Sequence, residues 1–360
     1  MSSSHQDYMQ LALQLAERGR FTVSPNPMVG CVIVKNNQII GQGFHQHAGK
    51  AHAELIALRE AGTDAQGAIL YVTLEPCCHD GKTPPCVNAL IKSQIKKIYI
   101  ACLDPNPLVA GKGIENLRAA GIKVELGLLA DQAIKLNQIF FHYITHHRPF
   151  VIAKWAMSLD GKTTTHLNDT RDISSPASQM DAHELRKKVD AILIGSKTAI
   201  HDNPLLTIRY GADLNSHKHP IRIVLSTKGR LPLHLKLFDP ALPAKTIIAT
   251  TDMADQAWLK KAAKQQIEIL MIPTNQHQQV DLFKFLNELG KREIASLLIE
   301  GGMTTHEQFM QANLINQLHV YLAPVMIGAL EKKHILTNID VKRHDSDFHF
   351  TANDQENRYV

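Results

Sequence analysis

Apolar residues at Tyr8, Leu11, Ala12, Leu15 and Ala16 recur at helical spacing and predict an amphipathic helix over 4–18, opened by a capping-box pair, Ser4 and Asp7. A Pro-rich loop, Ser24-Pro25-Asn26-Pro27, leads into a β-rich run over 29–34 and a hairpin-like turn at Asn36-Asn37. The period then switches back and forth. Helices are expected over 51–61, 85–92 and 114–120, and strands over 68–74, 97–102 and 123–126. Polar residues ahead of Pro149 close this unit, and the pattern restarts at once with a strand over 150–155. Strands follow at 191–195, 221–226, 246–250, 267–272, 296–300 and 317–322, with helices at 255–264, 282–289 and 304–314. Helices alternating with apolar strands point to two unlike α/β domains, 1–146 and 149–360. No internal repeat or low-complexity tract interrupts them.

Composition adds exclusions. With 360 residues, 44% hydrophobic and 20% charged, the chain can bury a core in each half and is not intrinsically disordered. No apolar run approaches the roughly 18 residues of a membrane span. The opening MSSSHQDYMQ lacks the basic and apolar regions of a secretory signal, so a soluble cytoplasmic protein is expected. The net charge of +5 is dispersed, with no basic run longer than Lys187-Lys188 or Lys332-Lys333, which argues against a nucleic-acid partner. All five cysteines, Cys31, Cys77, Cys78, Cys86 and Cys102, fall in the first third. In a chain without a secretion signal such a cluster favours metal binding or catalysis over disulfides.

The sharpest chemical signal is His52-Ala53-Glu54 followed by the stretch from Glu75 to Cys86. Zinc favours imidazole and thiolate, and a catalytic zinc keeps three protein ligands with water in a fourth position. His52, Cys77 and Cys86 supply that set. His52 stands where a helix begins, and Cys86 follows a Pro-Pro pair that would start another, where the positive helix end favours a thiolate. Glu54 is then placed to move protons for the water rather than to bind Zn2+, the H-x-E arrangement of nucleobase deaminases. A closed structural site with Cys78 or His79 as fourth ligand is the alternative. Cys31 and Cys102, on apolar strands, read as core.

Eight residues separate Cys77 from Cys86, and here the sequence resembles one family, the bifunctional riboflavin-biosynthesis deaminase/reductase. That family carries H-A-E, E-P-C-x-H-x-G-x-T-P-P-C and S-P-N-P-x-V-G, the last present as Ser24 to Gly30. The resemblance implies a cytidine-deaminase-like α/β/α domain followed by a dihydrofolate-reductase-like α/β domain. It implies hydrolytic deamination of 2,5-diamino-6-(5-phosphoribosylamino)pyrimidin-4(3H)-one, then NADPH-dependent reduction of the ribosyl to the ribityl chain. Deaminase substrate contacts fall by resemblance on Asn26, His45, His79, Lys82, Asp104 and Asn106. A small phosphoribosylaminopyrimidine is the expected partner, with no nucleic acid or membrane, and a homo-oligomer is expected.

The second half shows neither G-x-G-x-x-G nor a complete phosphate-loop motif. Its chemical segments are 153–162, 195–209 and Ile299-Glu300-Gly301-Gly302, where adjacent glycines would let a pyrophosphate approach a helix N-terminus. By resemblance, Ala156, Thr198, Asp202, Ser226, Gly302, Met303 and Thr304 contact NADPH, and Lys154, Thr170, Arg186, Leu206, Arg209 and Glu300 contact substrate. Arg186 and Arg209 suit its phosphate through the guanidinium fork. Asp172 stands before Ile173-Ser174 where many relatives have Trp, so an aromatic cofactor contact is expected to be missing. The competing enzyme reading is a tRNA or nucleobase zinc deaminase with an RNA-binding second domain, which the long Cys spacing disfavours.

Overall fold

Ser4 and Asp7 do close a capping box in the computed structural model, which describes residues 4–79, 85–163, 173–209, 218–327, 334–344 and 347–354. The chain forms two compact units, 1–150 with 283–296 and 151–282 with 297–360.

In the first unit α1 (His5–Glu17) precedes β1 (Gly30–Lys35) and β2 (Gln38–Phe44), an antiparallel pair. Asn36 and Asn37 both take left-handed backbone in the connecting turn (φ 49° and 61°), a conformation asparagine tolerates. Then come α2 (Ala53–Ala61), β3 (Ile69–Val72), α3 (Cys86–Lys92), β4 (Lys97–Ile100), α4 (Lys112–Ala119), β5 (Lys123–Leu126), α5 (Ala130–Leu136) and α6 (Gln138–His146). The sheet order is β2-β1-β3-β4-β5, with β3, β4 and β5 parallel. Strand alternation sorts the core into two layers. Cys31, Ile33, Leu70, Val72, Ile98 and Ile100 belong to one apolar cluster, with residues of α2, α3 and α4. Val32, Val34, Tyr71 and Tyr99 belong to the other, with α1 and α5. Cys31 and Cys102 are buried, as their apolar surroundings required.

The second unit begins with β6 (Phe150–Ser158), three residues longer than its apolar run suggests. It continues through α7 (Pro176–Lys187), β7 (Ala191–Gly195), α8 (Ser196–Asp202), β8 (Ile221–Leu225), β9 (Thr246–Thr250), α9 (Gln256–Lys264) and β10 (Glu268–Met271). Past α10 (Leu282–Lys291), whose residues from Phe283 on group with the first unit, come β11 (Ser296–Gly301), α11 (Met303–Gln311), β12 (Gln317–Ala323), β13 (Val325–Met326), β14 (His334–His344) and β15 (Asp347–Asp354). Its large sheet runs β10-β9-β8-β7-β11-β6-β12, parallel from β10 through β11, and β6 with β12 is parallel too. The helices α5, α6, α7 and α8 and the strands β13–β15 go beyond the sequence expectation. In α7 only Ala182, His183 and Leu185 are buried, too few apolar positions to announce a period, although Ser175 capping ahead of Pro176 is a start signal. Among the described residues no helix is long and apolar enough to cross a membrane.

Candidate functional site

The first site is built on close contact between α2 and β2. A Cβ at Gly41 would stand 2.3 Å from the Ala57 carbonyl oxygen, and one at Gly43 2.5 Å from that of Ala53. Bare strand backbone against alanines lets the helix settle there, and its start fixes His52, the N-cap residue, and Glu54 in the first turn. Cys86 opens α3, and its N–H donates to the Cys77 thiol sulfur at 3.3 Å.

His52 Nδ1 lies 3.2 Å from Cys86 Sγ and 3.5 Å from Cys77 Sγ, and the three donor atoms lie within 4.8 Å of one another. Tetrahedral zinc, with Zn–S of about 2.3 Å and Zn–N of about 2.0–2.1 Å, sets nitrogen and sulfur roughly 3.6 Å apart. Hydrogen bonds from Cys86 and His52 pull the Cys77 thiol down to about 4. The Cys86 thiol is pushed far up by its bond to Cys77 and by burial. Two thiols and an imidazole this close share protons that a divalent cation displaces, so the residues fit zinc. Cys78 stays outside the group, its sulfur 3.8 Å from the Leu108 carbonyl oxygen.

Glu54 is 3% exposed, and burial pushes its carboxyl above the ordinary range against the pull of His52. It lines a cavity of about 340 Å³ with His52 and Cys77. Asn26, His45, His79, Asp104 and Asn106 line the same cavity, so the structure brings five of the six expected substrate contacts to the metal group. Lys82 lies outside the described residues. His45 Nδ1 is 3.2 Å from the Ala51 carbonyl oxygen and so carries the proton, leaving Nε2 to accept from the Asn26 amide at 3.2 Å. Burial holds His45 below its usual pKa. His79 Nδ1 is buried with no hydrogen-bond partner among the described residues, an acceptor or donor ready for a ligand.

Two positioning residues were given no role by the sequence, although Glu75 opens the E-P-C motif. Glu75, 3% exposed, accepts backbone N–H bonds from Asp104 (3.3 Å), Gly111 (2.9 Å) and Ile114 (3.3 Å), which locks the loop bearing Asp104 and Asn106. Burial in that loop raises Asp104 to about 6. Asn137 clasps Met28 from both sides, accepting from its N–H and donating to its carbonyl at 2.8 Å each, and so fixes the loop of Asn26. Their partners sit 29 to 109 positions away in sequence, beyond the reach of any local pattern. Phe140 and Ile144 of α6 also line the cavity.

The second site gathers at carboxyl ends of parallel strands, where ligands bind in open α/β sheets. Glu300 sits at a register shift between β11 and β7, a bulge that redirects its side chain. There it meets Arg186 in a buried two-point pair, Nε to Oε1 at 2.6 Å and Nη2 to Oε2 at 2.5 Å, while Nη1 donates to the Thr207 carbonyl at 2.8 Å. The Arg186 guanidinium holds the Glu300 carboxyl below its usual range against burial. Three of the five N–H groups of the Arg186 guanidinium are engaged in this way, by a carboxylate and a carbonyl. Arg209 has an exposed side chain. Leu206 is buried with left-handed backbone (φ 53°). Lys154 in β6 stands 5.2 Å over the Tyr321 ring.

Of the expected cofactor contacts, Thr198 and Gly302 are adjacent, since a Cβ at Gly302 would stand 3.0 Å from Thr198 Oγ1. Gly302 (φ 83°) caps α11 without a side-chain bond, leaving a glycine-lined helix start that fits a cofactor phosphate. Met303 and Thr304 are exposed in its first turn, Ser226 is buried just past β8, and Ala156 pairs with Tyr321 across β6–β12. Asp202 is exposed at the end of α8 with its carboxylate 2.7 Å from His201 Nδ1. Thr170 and Asp172 lie outside the described residues.

Residues 2–102 match the cytidine and deoxycytidylate deaminase zinc-binding region, and residues 149–355 match the RibD C-terminal domain. The chain is 42% identical over 322 residues to riboflavin biosynthesis protein RibD of Aquifex aeolicus, covering 89% of this chain and 87% of that one. To the Escherichia coli (strain K12) protein of the same name it is 40% identical over 333 residues, covering 89% and 88%. Among solved structures, Acinetobacter baumannii RibD superposes with a TM-score of 0.80 at 38% identity, covering 97% of this chain and 98% of that one. A diaminohydroxyphosphoribosylaminopyrimidine deaminase/5-amino-6-(5-phosphoribosylamino)uracil reductase from Thermotoga maritima gives 0.78 at 33% identity, covering 95% and 96%. Similarity of this extent in both halves makes the chain a member of the RibD family, the bifunctional deaminase and reductase of riboflavin biosynthesis.

Proposed function

We propose that residues 1–146 deaminate 2,5-diamino-6-(5-phosphoribosylamino)pyrimidin-4(3H)-one and that residues 149–360 then reduce its ribosyl chain, giving 5-amino-6-(5-phosphoribitylamino)uracil. The observation that carries the first step is the buried Glu54, in one cavity with His52 and Cys77 of the three convergent zinc donors. His52, Cys77 and Cys86 hold the metal. When bound, zinc supplies Lewis acidity that makes water a nucleophile near neutral pH. Glu54 takes a proton from the attacking water and delivers it toward the departing amino group, so C–N is exchanged for C=O and ammonia leaves. Asn26, His45, Asp104 and Asn106 hold the pyrimidine edge, and His79 and Lys82 the ribose phosphate.

In the second step NADPH, when bound, supplies hydride to C1 of the ring-opened sugar imine. Lys154, whose charge acts on the buried Glu300, provides the accompanying proton, and Glu300 orients the sugar. Thr170 and Leu206 complete the substrate contacts. The cofactor contacts are Ala156, Thr198, Asp202, Ser226 and the Gly302, Met303, Thr304 turn. Arg209 takes the phosphate, while Arg186 holds Glu300 and the 206–209 segment.

The test is substitution at each centre. Glu54→Gln keeps zinc by metal analysis and loses ammonia release; unchanged release removes Glu54 from the mechanism. Lys154→Ala stops NADPH oxidation by the deaminated substrate, and continued oxidation removes Lys154. The enzyme's place is cytoplasmic, with its small-molecule substrate. A homo-oligomer is supported by the edge strand β12, where Leu318 and Val320 are 54% and 41% exposed. Light scattering on the purified protein tests it.

A further inference from the structure

The segment from Asn203 to Arg209 carries strain at Leu206, which takes left-handed backbone (φ 53°) with no asparagine or glycine to ease it. Side chains from one face of α7 hold it. His183 and Arg186 are three residues apart on that helix and so project to the same side. Arg186 donates to the Thr207 carbonyl at 2.8 Å, and His183 Nδ1 accepts the Arg209 backbone N–H at 3.2 Å. One donor and one acceptor thus bracket Ile208, much as a neighbouring strand would.

We propose that His183 is a positioning residue of the reductase site, fixing the backbone of Arg209 so that its guanidinium meets the substrate phosphate. The role needs an imidazole that accepts at Nδ1, and hence a proton on Nε2. His183 is 4% exposed. Burial, with Arg186 on its own helix and Arg209 and Lys154 from neighbouring segments, holds it down at about 4 against the opposing pull of Glu300. It is a neutral acceptor throughout the working range. Nothing in the sequence marks it, because its partner is a main-chain N–H rather than another side chain.

This inference rests on Arg209 as the phosphate ligand, and the experiment separates the two. Binding of the deaminated substrate and of its dephosphorylated form is measured by calorimetry without NADPH, so that the ratio of dissociation constants reports the phosphate contact alone. Arg209→Ala collapses that ratio. His183→Phe, which keeps a ring but removes the acceptor, reduces it about tenfold. His183→Asn, whose Oδ1 stands where Nδ1 stood, retains most of it, and His183→Gln behaves like the Phe variant. Should His183→Phe fold poorly, the Asn and Gln pair carries the comparison by itself. An unchanged ratio in His183→Phe and His183→Gln, with Arg209→Ala collapsing it, overturns the positioning role. Equal weakening of both ligands by His183→Phe shows a merely structural role and overturns it as well. A ratio insensitive to Arg209→Ala overturns the phosphate assignment, and the inference falls with it.

Discussion

The two sites are assembled in opposite ways. In the first unit the reactive groups come from two short stretches, 52–54 and 75–86, and local geometry does most of the placing. An N-cap position sets His52, the first turn of α2 sets Glu54, and a helix start sets Cys86 beside Cys77. In the second unit the groups come from Lys154 to Thr304 and meet only because parallel strands end side by side. A buried ion pair between α7 and the bulged end of β11 then joins them. Chemistry that needs a fixed ion is written in adjacent residues, whereas a long cofactor is held by topology.

The contrast is most severely tested by taking the metal away. A chelator that strips zinc should abolish ammonia release while leaving NADPH oxidation by the deaminated substrate intact; parallel loss of both would merge the two sites. Next in size is the pair in the second unit. Arg186→Met leaves Glu300 buried without its partner and should cost about 3–5 kcal/mol in urea unfolding of that unit, with reductase activity lost and zinc content unchanged. A smaller effect belongs to Glu75→Gln. Replacing a carboxylate that accepts three backbone N–H bonds should cost about 1–3 kcal/mol, read as a fall in deaminase kcat/KM of roughly ten- to a hundredfold. Smallest of all, Asn37→Gly relieves left-handed backbone in the β1–β2 turn and should shift stability by less than about 1 kcal/mol, moving neither activity.

The legibility of the chain follows the same division. Short apolar runs located β1, β7, β9 and β12 closely, and the zinc group with Glu54 could be read from residue type and spacing. Helices with few apolar positions, such as α7, escaped because a periodic signal needs several buried residues on one face. The role of Glu75, a residue of the E-P-C motif, and the residues Asn137 and His183 escaped for a different reason. Each bonds to main-chain groups distant in sequence, and a main-chain partner leaves no trace in residue identity. Arg186 was visible, but its pairing with Glu300 was not: a fork that fits phosphate fits a carboxylate equally well, and the bulge that brings Glu300 to it is not written in either residue.

The claim that two separate centres act in sequence on one molecule is tested most directly with the Glu54→Gln protein loaded with zinc and NADPH. In that variant the aminated substrate is expected to leave NADPH unoxidised, while the deaminated substrate oxidises it at the wild-type rate. Oxidation of NADPH by the aminated substrate in that variant, with the amino group still present by mass, would contradict the claim.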